Sequence, residues 1–261
     1  MKPLFIILAF SLMSLLNSTD FKLEKTIVIK GDFITTDKLG NIYLVAANTI
    51  KKYDNEGKLI KTFSNLNAGN ISFVDASNPL KILVFYKDFG QIDFLDNTLS
   101  LSGSSIKLAN LKLEQSSLAC NSYNNGFWVY DETNIQLKRI DESLNISHES
   151  GNISQLSGLE LFPNYLVEQN NFVYLNDSDN GILVFDRYGT YLKTIPFKNL
   201  ESIQVIGNSI VFVQESLLKS YNMESFEINI INIAEKNIKS IRIENQKLYI
   251  LTEKGINIYT T

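Results

Sequence analysis

Eight polar residues stand where a fold that gathered them could do chemistry: Asp32, Asp37, Asp75, Asn121, Glu160, Glu168, Gln204 and Arg242. Single carboxylates and amides drawn from several strands can hold one divalent cation, calcium among them. Such an ion would polarise a carbonyl as a Lewis acid and activate water for hydrolysis. No short motif joins the eight, so their grouping has to come from the fold. Other chemistry has little to work with. His148 is the only histidine, which excludes any mechanism or transition-metal site that needs two imidazoles. It lies in a polar stretch, Asn145-Ile146-Ser147-His148-Glu149, that reads as a solvated loop or outer strand. Cys120 is the only cysteine, so no intramolecular disulfide forms. Its neighbours Ser117-Leu118-Ala119 read as a strand that buries it as a small apolar residue. Asn176-Asp177-Ser178-Asp179-Asn180-Gly181 imitates the start of a calcium loop, but Arg187 stands at the twelfth position, where a bidentate glutamate is required. The segment is therefore read as a hairpin turn.

The elements that must position these residues repeat. Apolar runs begin at Ile42, Ile82, Phe127, Phe172, Ile210 and Leu248, 38 to 45 residues apart. Each is followed by an apolar–polar pair, first Tyr53-Asp54 and last Tyr259-Thr260. A strand-rich period near 40 residues is the signature of an array of small sheets. In the first unit, residues 33–36, 41–46 and 49–53 read as inner, second and third strands. Residues 58–63 alternate polar and apolar, as an outer strand with one wet face does. Asp54-Asn55-Glu56-Gly57 carries the Asp and Gly of a type I turn. The recurring Asp54, Asp96, Asp141 and Asp186 are accordingly read as turn caps rather than ligands. Tyr43, Trp128 and Tyr174, which recur in second strands, are read as packing between sheets.

The last unit has only three strands, over residues 239–244, 247–251 and 256–259, while a spare strand precedes the first unit. Pairing residues 24–30 with 256–260 closes a ring and leaves no exposed sheet edge at either terminus. The expected fold is all-β: a six-bladed β-propeller over residues 22–261, a single domain, with its last blade closed by the N-terminal strand. No stretch beyond residue 20 carries helical periodicity over three turns.

Gly40-Asn41-Ile42-Tyr43-Leu44-Val45, Thr49-Ile50-Lys51-Lys52-Tyr53-Asp54 and Gly57-Lys58-Leu59-Ile60 together resemble the NHL-type repeat of six-bladed propellers. Residues 172–195 look like a second copy. Ala46 departs from the pattern, which usually has Asp there. The resemblance implies a fold more than an activity, because such propellers include protein-binding scaffolds, RNA binders and a few enzymes. Gluconolactonase-like propellers hold one metal at the tunnel mouth, and that is the enzymatic alternative.

The N-terminus differs from everything after it. Lys2, then an apolar stretch over residues 3–16, then Asn17-Ser18-Thr19-Asp20 has the three-part order of a secretory signal. Residues 1–18 are expected to be that signal, cut between Ser18 and Thr19; the stretch is short for a membrane span. The formal charge of −4 comes without a basic block, which argues against a nucleic-acid partner. The expectation is an exported protein, periplasmic, cell-surface or secreted, acting as a non-enzymatic scaffold for a protein or glycan with no cofactor. The alternative is a metal-dependent lactonase-type hydrolase, with calcium as its ion.

Overall fold

In the computed structural model, which describes residues 21–261, the chain forms six four-stranded antiparallel sheets. The expected leader and its cut at Ser18–Thr19 lie outside the described residues. Each sheet begins with a strand on the central axis: Phe33–Thr36, Phe73–Asp75, Ser116–Asn121, Pro163–Gln169, Ile203–Ile206 and Ser240–Glu244. The chain then steps outward through a second, third and fourth strand before crossing to the next blade. Second strands are covered by neighbouring blades on both faces, so they are continuous apolar runs rather than alternating ones. Ile82–Tyr86 and Phe127–Asp131 are buried at every position. The outermost Leu59–Ser64, by contrast, is largely exposed.

The core consists of clusters lying between adjacent blades. Tyr43 and Val45 of the first blade pack with Val74, Ile82, Val84 and Tyr86 of the second. Trp128 and Tyr130 of the third pack with Leu166, Val173 and Phe185 of the fourth. Burying both faces of each sheet in this way requires a closed ring, and the ring is closed as expected by the N-terminal strand. Lys22–Ile27 pairs with Gly255–Thr260, Lys22 opposite Thr260 and Ile27 opposite Ile256, with a bulge at Glu24.

The clasp strand starts two residues earlier than the anticipated 24–30 and ends at Ile27. Gly255 marks that end. It has φ +144, and a Cβ there would sit 2.0 Å from the Ile27 carbonyl oxygen and 3.1 Å from the Ile29 nitrogen. The main chain crosses over this glycine and leaves the sheet, and Ile27 and Ile29 pack against the cluster containing Ile34, Ile42, Tyr249 and Ile256.

The turn aspartates do what their position implies. Asp54 Oδ1 accepts from the amides of Glu56 and Lys58, and Asp186 Oδ1 from those of Tyr188 and Thr190. Short helical turns left no trace in the periodicity: Lys87–Phe89 and Leu108–Leu111 in the second blade and its connection, and the α-helix Ile153–Ser157 between the third and fourth blades. The α-helix is a little over one turn long, capped by Asn152 Oδ1 accepting from the Gln155 amide at 3.0 Å.

Candidate functional site: the axial channel

The axial strands all run the same way, so the six first hairpin turns meet at one mouth of the channel. The blade-to-blade connections meet at the other. At the hairpin mouth, Asn170-Asn171 and Asn245-Gln246 form two-residue turns with positive φ at both positions. Tight hairpins of this hand need that backbone, and Asn tolerates it best after Gly. The amide-rich rim is thus a product of turn chemistry. It borders a cleft of about 470 Å³ lined by Ser77, Asn78, Asn121, Ser122, Tyr123 and Glu168, among others.

The eight residues singled out from sequence do not converge into a ligand set. Asp37 is fully buried and closes its own turn. Its Oδ1 accepts from the Leu39 and Asn41 amides, each at 2.9 Å, and its Oδ2 from Asn41 Nδ2 at 2.8 Å and the Tyr43 hydroxyl at 2.7 Å. Burial, and then that bond to Asp37, push the Tyr43 hydroxyl far above its ordinary range.

Four others tie neighbouring blades together. Asp75 Oδ2 accepts from the Asn121 amide at 2.8 Å, and Asn121 Nδ2 donates back to the Asp75 carbonyl at 3.0 Å. Glu168 Oε2 accepts from the Ser122 hydroxyl at 2.5 Å and from Trp128 Nε1 at 2.7 Å. Gln204 donates to the Ile243 carbonyl at 2.7 Å and accepts from the Ile243 amide at 2.8 Å, standing in for a missing strand partner. Two stand on the connection side. Asp32 is exposed at the edge of the connection-side cavity and accepts from the Ala47 amide, and Glu160 lies exposed on the connection before Pro163–Gln169. Among the described residues no three His, Cys, Asp or Glu side chains gather as a metal site.

Arg242, the eighth, reaches the middle of the channel. Its Nη2 donates to the Tyr165 hydroxyl at 2.9 Å and its Nη1 to the Ile241 carbonyl at 2.9 Å. Tyr165 meets Phe73 edge-to-face, with ring centroids 5.3 Å apart at 83°. Phe73 itself packs against three of the interblade clusters. Together they form a waist that divides the channel into a cavity of about 100 Å³ toward the hairpin mouth and one of about 230 Å³ toward the connection mouth. Neither Phe73 nor Tyr165 was singled out from sequence. Both sit on axial strands at positions where an apolar residue is unremarkable.

A second feature missed from sequence lies beside the hairpin cleft. The guanidinium carbons of Arg139 and Arg187 stand 3.6 and 3.8 Å from the centroid of the Tyr123 ring. Two guanidinium groups this close to one centroid would overlap on a single face, so they cover opposite faces. Arg139 also donates to the Ser122 hydroxyl at 2.9 Å, extending the chain to Glu168. His148 is on the outer strand Ile146–Glu149, its ring 5.4 Å from that of Tyr188. Cys120 is fully buried in an axial strand, and burial pushes its thiol well up.

No protein-family model and no curated protein matches the chain. Solved structures do, at the level of fold. Virginiamycin B lyase from Staphylococcus aureus superposes with a TM-score of 0.63 at 14% identity, over 93% of this chain and 100% of that one. The same lyase is also known bound to quinupristin as a catalytically inactive variant in which a histidine is replaced by alanine. BamB from Moraxella catarrhalis superposes with a TM-score of 0.58 at 11% identity, over 92% of this chain and 100% of that one. The extracellular domain of a putative one-component system from B. thetaiotaomicron gives 0.57 at 14% identity, over 87% of this chain and 32% of that one. These similarities establish the propeller. They include a lyase, BamB and the extracellular domain of a one-component system, so the fold alone does not choose a function.

Proposed function

We propose that this chain is a non-enzymatic binding scaffold, exported from the cytoplasm, that takes a protein partner on the face carrying the first hairpin turns. One observation carries the reading: five of the polar side chains singled out from sequence near that mouth are committed to the fold. Asp37 closes a turn, and Asp75, Asn121, Glu168 and Gln204 tie blades together. What remains for a partner is the rim, with its amides and exposed apolar tips such as Leu39, Leu80 and Phe226. Apolar tips set in a polar rim suit a protein surface. A glycan is the second reading, favoured by the hydroxyl- and amide-lined cleft. It is weakened by Tyr123, whose ring faces are already covered and cannot stack on a sugar. No cofactor enters this proposal.

The hydrolase alternative needs several free carboxylates at one mouth, and lyase chemistry of the neighbour's kind needs a histidine. Here the lone histidine is on an outer strand. Export rests on the composition of residues 1–18, and N-terminal sequencing of secreted protein should begin at Thr19.

The scaffold reading is tested by placing a photo-crosslinking residue at Leu80 or Asn171 on one face and at Leu66 or Phe162 on the other, in the native host. A single partner captured from the first pair alone is the expected result. Capture from the second pair alone rejects this choice of face. Lactone hydrolysis that EDTA abolishes and calcium restores would establish the hydrolase instead.

A further inference from the structure

Arg242 poses a physical problem that the scaffold reading does not use. The side chain is 7% exposed, and a buried cation is costly unless an anion or several good acceptors replace the lost water. Among the described residues, no carboxylate oxygen lies within 4.0 Å of it. Its two recorded acceptors, the Tyr165 hydroxyl and the Ile241 carbonyl, are neutral. A guanidinium has five N–H donors in a planar fork, so three remain beyond those two bonds. Arg242 also lines both cavities of the channel.

We propose that the cavity of about 230 Å³ on the connection side of the waist is a binding site for a small monocarboxylate, whose carboxyl group pairs with Arg242. The fork matches a carboxylate's two oxygens. Tyr165 fixes the guanidinium, and the hydroxyls of Ser72 and Ser202 line the same cavity. Phe33 and Phe73, both only partly buried, give it an apolar wall suited to a hydrocarbon body. Lys239 also lines it but is paired with Glu253 at 2.9 Å, so the exposed carboxylates of Asp32 and Glu201 in the lining disfavour dianions such as phosphate and sulfate. The cavity, larger than the roughly 150 Å³ that encloses benzene, admits a carboxylate with a short hydrocarbon body. This site is at the opposite mouth from the proposed partner face, so the two stand or fall separately.

The experiment follows thermal melting of the purified chain with acetate, propionate and butyrate, using sodium chloride at matched ionic strength as reference. Phosphate and sulfate serve as competing anions. Saturable stabilisation is expected, with a rise of roughly 5–10 °C at a ligand concentration a hundred times its Kd. The double variant Arg242→Met with Tyr165→Phe removes the charge and its hydroxyl partner together and should lose that rise entirely. Arg242→Lys keeps a cation without the fork, and should weaken binding at least tenfold if it folds. Ligand-detected NMR on the unmutated chain gives the same answer without any variant, as line broadening of propionate. No saturable response, an equal response in the double variant, or equal stabilisation by sulfate would each overturn the assignment.

Discussion

Asp37 and Arg242 are both charged, both buried and both beside the channel, yet the fold treats them in opposite ways. Asp37 has four donors, all from residues 39 to 43 of its own turn. Arg242 has two neutral acceptors, one of them 77 residues away in another blade. A carboxylate is easily satisfied locally, because any tight turn presents backbone amides that point the same way. A guanidinium needs acceptors spread over a plane, and these have to come from elsewhere. The first charge therefore holds structure together, whereas the second is held in place by structure and left open toward a cavity.

The widest gap between the two should appear on removing each. Asp37→Ala strands several buried donors, and a loss of about 3–5 kcal/mol is expected in urea denaturation. The Arg242→Met, Tyr165→Phe double variant, without added carboxylate, should be neutral or gain up to about 1–4 kcal/mol, because well-packed apolar groups replace a desolvated charge. Destabilisation of the double variant by as much as Asp37→Ala would erase the distinction.

Asp186 offers a milder form of the Asp37 arrangement, at the edge rather than on the axis. Backbone amides of Thr190, Tyr188 and Gly189 hold its carboxyl below the usual range despite some burial. Because the folded pKa is depressed, its contribution is present above about pH 4 and is lost as the pH falls through the folded value. Asp186→Ala should cost about 1 kcal/mol at pH 7. The difference from the parent chain should shrink in melts taken toward pH 2.

Glu244, which lines the hairpin-side cavity, is the smallest case and has the reverse sign. Burial, then the charge of Asp37, raise its carboxyl above the ordinary value. A raised acid favours the folded state at low pH, and that advantage fades as pH climbs from the unfolded to the folded pKa. Glu244→Gln should slightly raise the melting temperature at pH 7 and make no difference near pH 3. An unchanged melting temperature at both pH values would remove Glu244 from the channel's charge balance.

Much of the scaffold could be read along the chain. The run Ile82–Tyr86 and its counterparts are apolar because both faces are covered, and a surplus strand before the first unit paired with a deficit in the last. The caps at Asp54 and Asp186 were legible because a turn is a four-residue object. The helix Ile153–Ser157 was not, being too short to impose a period. The functional side chains were the least legible. Asp75, Glu168 and Gln204 looked like candidate ligands because sequence shows a polar residue on an axial strand but not which neighbour it meets.

The sequence by itself determined that this is a ring of six small sheets, because period, alternation and turn chemistry are local or strictly repeated. Only the tertiary structure decided the channel's contents. Phe73, Tyr165 and Arg242 come from the second, fourth and sixth blades and meet at one point on the axis. Contacts across an axis depend on which side chain each blade turns inward and how far it reaches. The repeat that builds the blades carries no record of that.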